Sequence, residues 1–161
     1  MSEVIEKQNY NQNRESAAIK PQIMVNTRFG EVKVNSHNRF TLTGGPLGME
    51  SFEDFCLIEF EKTEGPFLLF QSVDNQNVGF VVIPTSYSNS PIKKADLDEI
   101  CTNLAIEENK LLALFIVSFD KNENNAMSIN LRAPIILNIV EKKAYQYVIA
   151  SEEYSIKHAI S

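Results

Sequence analysis

Basic residues, soft metal ligands and membrane-length apolar runs are all scarce in this chain. Lys and Arg number 15 against 21 Asp and Glu, a formal net charge of -6. Such a surface repels phosphate backbones, which argues against direct nucleic-acid binding and favours a basic protein partner. The two cysteines, Cys56 and Cys101, have no Cys-x-x-Cys spacing, and His37 and His158 are the only histidines. That set argues against a zinc site and reads as two buried thiols. No apolar run approaches the ~18 residues of a membrane span, and no signal-peptide core stands at the N-terminus. The expectation is a cytoplasmic protein with no membrane contact, in a compartment where unpaired cysteines stay reduced.

Catalytic signatures are equally thin. The chain has no Gly-x-Ser-x-Gly elbow, no His-Glu-x-x-His and no acid cluster with metal-ligand spacing, so neither an enzyme nor a cofactor is expected. His158 and the pair Glu152-Glu153 read as solvated groups near the C-terminal end. The glycine cluster Gly44-Gly45-Pro46-Leu47-Gly48 lacks the Gly-Lys-Ser/Thr ending of a phosphate loop and reads as a connection.

What the chain does have is apolar content for one core: 161 residues, 43% hydrophobic. Residues 1–21, rich in Asn, Gln, Glu and Ser, read as a disordered polar tail whose three acids cancel its three bases; residues 22–161 form a single domain that keeps the net charge. From Ile23 the pattern is that of strands. A hairpin turns at Phe29-Gly30, and Arg39–Thr43 runs into the glycine loop. Met49–Phe55 forms at most one helical turn before a strand at Phe55–Phe60. Residues 67–73 and 78–83 are apolar at nearly every position, as is Leu111–Phe119, so these strands are covered on both faces. Ile83 to Pro91 reads as loop. Leu97, Ile100, Cys101 and Leu104 share one face of a helix over Ala95–Leu104. The fold expected is mostly β: a small closed or nearly closed antiparallel barrel capped by one or two short helices, a monomer.

One stretch organises the rest. In Met127–Asn138 the residues Ile129, Leu131 and Ala133 alternate with Ser128, Asn130 and Arg132, and Pro134 then interrupts the ladder, so the strand bulges or meets an edge there. Asn130 and Arg132 would leave a rigid element beside that break, placed to touch a second molecule. The plainer alternatives are an arginine that is solvated or paired with a nearby carboxylate, or an internal clamp held by a buried carboxylate or by loop carbonyls. A last strand is expected at Tyr145–Ala150.

Four segments in order resemble the flagellar assembly factor FliW family: Gly45-Pro46-Leu47-Gly48-Met49-Glu50 with Phe55-Cys56-Leu57, Pro66 to Val73, Met127 to Asn138, and Gln146 to Ile149 with Tyr154 to His158. Departures are Gly-Pro-Leu-Gly-Met-Glu where the family usually has Gly-Ile-Pro-Gly-Phe-Glu, Phe70 where Trp is common, and the long N-terminal tail. The resemblance implies a non-enzymatic regulator that binds the translational repressor CsrA away from its RNA face. It also implies relief of repression of flagellin messenger RNA, and binding of flagellin itself. Within the resembling segments the candidate partner contacts are Glu50, Phe70, Gln71, Asn130, Arg132, Pro134 and Asn138. The alternative is a small-ligand or enzymatic barrel with an anion site near Gly44–Gly48 and Arg132; a filled barrel would count against it.

Overall fold

The computed structural model describes residues 21–60 and 64–160. The expected tail lies outside these residues except for Pro21, whose carbonyl accepts from Ser36 N at 2.9 Å. Strand β1 (Gln22–Thr27) turns into β2 (Gly30–Asn35) as expected, and Gly30 has the φ of 112° that the return requires. The chain continues through β3 (Arg39–Leu42), β4 (Asp54–Glu59), β5 (Leu68–Ser72) and β6 (Gly79–Ser86) to the helix α1 (Lys94–Leu104). It then forms β7 (Leu111–Asp120), β8 (Ala126–Ile129), β9 (Ile135–Asn138), β10 (Lys143–Gln146) and β11 (His158–Ile160).

Seven strands close a ring in the order β7-β6-β5-β4-β3-β10-β9, with β9 returning to β7. Alternation divides their side chains between two environments. Phe55 and Leu57 of β4, Leu68 and Phe70 of β5, Leu112 and Leu114 of β7, and Ile135 and Leu137 of β9 point into the barrel, where Phe40, Leu42, Val82 and Ala144 join them. Between these residues, Cys56, Ile58 and Leu69 point outward under the β1–β2 hairpin. Ala113, Phe115 and Ile136 point outward under Leu97 and Ile100 of α1. The runs that are apolar at every position are therefore strands with the barrel core on one face and a cover on the other.

The structure corrects four details. One pair in the ring, β3 with β10, is parallel. Met49–Phe55 forms no helix: Met49 N bonds Pro46 O and Phe52 N bonds Met49 O in successive turns, because Gly44, Gly45 and Gly48 all hold positive φ and direct the chain back across the barrel end. β6 continues through Pro84 to Ser86, pairing with β7; beyond Val82 its β5 side has no partner, so a residue lacking N–H costs no ladder bond there. The last long strand is displaced, β10 covering Lys143–Gln146. In addition, Cys56 is fully buried while Cys101 is only partly covered.

Candidate partner-binding surface

β8 and β9 both lie against one edge of β7. Val117 pairs with Ile129 and Leu114 with Ile135. Between those pairs, residues 130–134 stand opposite only Phe115 and Ile116, so the chain must bulge. The Asn130 side chain shapes the bulge: its Oδ1 accepts from Arg132 N and Ala133 N, both at 3.0 Å, while its own N–H reaches Ile116 O. The expected interruption is present, but the ladder stops after Ile129 rather than at Pro134.

Pairing does not stop in open solvent. The segment 147–155 runs along the bulge and takes up its backbone groups: Tyr147 N donates to Pro134 O at 2.9 Å, Ile149 N to Arg132 O at 2.8 Å, and Leu131 N to Ser155 O at 2.9 Å. Arg132 is half-buried, its Nε donating to Tyr154 O at 2.9 Å and its Nη2 to Glu152 O at 3.4 Å. Among the described residues no carboxylate pairs with it, so the guanidinium acts as a clamp on carbonyls. Tyr154, buried under α1, gives its hydroxyl proton to Asp96 and accepts from Lys93 N. Burial, and then the bond to Asp96, pushes the phenol up from its ordinary value. The segment 147–155 is thus fastened to the bulge on one side and to the start of α1 on the other.

The glycine loop joins this surface through Gln146. Its Oε1 accepts from Leu47 N at 2.7 Å and its Nε2 donates to Ala133 O at 3.3 Å. Gly44 N donates to the Glu53 carboxylate and Gly48 N to that of Glu50, so the amides that could cradle an anion already bond side chains of the protein. Leu47 of the glycine loop and Val148 of segment 147–155 stand exposed. Gln146 is the functional candidate that residue patterns missed, although it opens one of the segments that resemble the family.

Of the seven candidate contacts, Glu50 is exposed and Asn130 and Arg132 are half-buried on this surface. The other four lie inside. Phe70 is 0% exposed and stacks on Phe55 at 4.7 Å within the barrel. Gln71 is also 0% exposed; its Nε2 donates to Ser72 O, Asn75 O and Val78 O, closing the β5–β6 connection. Pro134 is buried in the bulge, and Asn138 caps the turn after β9 by accepting from Val140 N and Glu141 N. Of these four only Pro134 belongs to the bulge itself. The barrel interior is filled by aromatic and aliphatic side chains and Arg132 lies outside it, an arrangement that counts against a ligand barrel. Among the described residues no three His, Cys, Asp or Glu are grouped to hold a metal ion, and no helix is long and apolar enough to cross a membrane.

The described residues form a closed, mostly β barrel filled by side chains, with the bulge, the glycine loop and the fastened segment 147–155 on its outside. The profile of the family described as FliW protein matches residues 23–160, and the chain belongs to that family. The flagellar assembly factor FliW of Thermoanaerobacter pseudethanolicus is 31% identical over 140 residues, covering 86% of this chain and 93% of the relative. That of Clostridium botulinum is 32% identical over 139 residues, covering 84% and 95%. A crystal structure of the flagellar assembly factor FliW superposes with a TM-score of 0.64 at 22% identity, covering 86% of this chain and 96% of that one, a likeness of fold.

Proposed function

We propose that this protein is a cytoplasmic flagellar assembly factor that binds and antagonises a CsrA-type translational repressor, relieving repression of flagellin messenger RNA. It also binds flagellin, and so couples synthesis of the filament subunit to its export. The observation that carries this reading is the family match from residue 23 to residue 160, across every segment that builds the surface described above. The net charge of -6 supports a basic protein partner and disfavours nucleic acid. In this reading Glu50 and the solvent-facing parts of Asn130 and Arg132 meet the partner, Arg132 while still clamping segment 147–155, and the buried Phe70, Gln71, Pro134 and Asn138 are not contacts.

The test is binding of the purified protein to CsrA and to flagellin from the same host by biolayer interferometry, with Glu50→Lys alongside. Micromolar or tighter binding to both, weakened for CsrA by the charge reversal, is the expected result. Absence of binding to both partners would overturn the proposal. Unchanged CsrA binding by Glu50→Lys would remove the glycine loop from the contact.

A further inference from the structure

Among the described residues the free edge of β1 is built unlike that of β2, which carries Glu31 and Lys33, and unlike that of β11. β11 ends the nine-stranded sheet, but it is only three residues long and follows Lys157, two devices that discourage pairing. β1 is six residues long, Gln-Ile-Met-Val-Asn-Thr, with no charge and no proline, and it pairs only with β2. The pairing leaves a predictable half of its backbone unused. Thr27 and Gly30 close a two-residue loop, so the odd-numbered residues Thr27, Val25 and Ile23 bond across to β2. The N–H and C=O groups of Gln22, Met24 and Asn26 therefore point away from β2, and none has a backbone partner among the described residues. Their side chains are exposed, Met24 at 54%, while Val25 is buried against the barrel wall.

We propose that β1 receives an extended segment of another polypeptide as a third strand on the hairpin. The backbone specifies the kind of occupant, since only an extended chain presents alternating donors and acceptors at the spacing of this edge. The wall beneath specifies its side chains: the cluster of Val25, Val34, Cys56, Ile58 and Leu69 keeps Ile23, Phe60 and Val73 only partly covered at its margin, so inward positions of the added strand are apolar. Charge completes the description. The protein's net charge of -6 repels acidic segments and β1 itself offers no charge to pair with, so the occupant carries no acidic residue over the length it pairs, and an uncharged strand suffices.

The experiment uses the full chain, isotope-labelled, and the blocked peptide Thr-Val-Thr-Val-Thr-Val as probe. In the free protein the amides of Gln22, Met24 and Asn26 exchange quickly and those of Val25 and Thr27 slowly. The peptide shifts the signals of the first three and slows their exchange. Met24→Pro deletes an outward N–H only, so the hairpin persists and peptide binding is lost, whereas Val25→Pro removes a bond to β2 and disrupts the hairpin itself. Slow exchange of the Met24 amide in the free protein, no shift at millimolar peptide, or equal binding by a folded Met24→Pro would each overturn the proposal. Sedimentation showing that the chain pairs with itself through β1 would also overturn it, by putting a second copy in place of the foreign strand.

Discussion

Gly45 and Gly48 lie in one loop at similar positive φ, 66° and 84°, but an added Cβ would meet very different surroundings. At Gly45 it would fall 2.7 Å from the backbone of Met49 and Glu50, while at Gly48 nothing lies within 4 Å. Gly48→Ala carries only the left-handed penalty, about 1–2 kcal/mol. Gly45→Ala adds a clash with main chain and should cost clearly more, which urea unfolding of the two variants compares directly. Cys56 gives a prediction in pH. Burial, reinforced by Asp54 and weakly opposed by Arg39, pushes its thiol from 9.0 up to about 12. The folded protein holds this proton more tightly than the unfolded chain does. The stabilisation is therefore complete below pH 9.0 and is lost as pH rises from there toward about 12, at most about 1.4 kcal/mol per pH unit. Urea midpoints of the wild type should fall over that range more steeply than those of Cys56→Ala. The apolar runs around Cys56 and Cys101 announced two buried thiols, and only Cys56 is fully buried. They did not announce the burial of Gln71, because an amide inside an apolar run looks the same whether it faces a partner or, as here, folds back on the carbonyls of its own hairpin.

At the scale of elements, the strands and α1 were legible because burial imposes a period, and both-sided burial a characteristic lack of one. The bulge was legible only in part. Ile129, Leu131 and Ala133 are indeed the buried set, yet the ladder ends at Ile129: alternation reports which way side chains face, not where the backbone bonds. The role of segment 147–155 was invisible for a related reason, since its partners are carbonyls and amides that leave no mark in composition. Arg132 and Tyr154 fasten this segment from opposite sides. Arg132→Met should cost about 2 kcal/mol through lost charge-assisted bonds, and Tyr154→Phe about 1 kcal/mol. Because either release loosens the same stretch, the double variant should fall short of the sum by about 0.5 kcal/mol or more. A strictly additive pair in chemical denaturation would mean that the two fastenings act independently.

For the whole molecule, the acidic surface has a kinetic signature. If it steers the protein toward a basic partner, the association rate with CsrA should fall as NaCl rises from about 50 to about 300 mM, with dissociation changing less. Stopped-flow mixing measures this, and a rate indifferent to salt would place the acidic residues away from the contact. Barrel closure was foreseeable from the excess of doubly covered strands. Its seam was not, because the parallel pairing of Thr41 and Leu42 with Lys143 and Ala144 depends on the path of the intervening chain.

That seam has a consequence during synthesis. The first half of the closing pair leaves the ribosome about a hundred residues before the second, a delay of roughly five to twenty seconds at ordinary elongation rates. Throughout that interval β3 has β4 on one side and nothing on the other, and the partly made barrel is an open sheet with sticky margins. A message broken anywhere before the codon for Lys143 therefore yields a product that cannot seal itself, a natural client for chaperones and proteases.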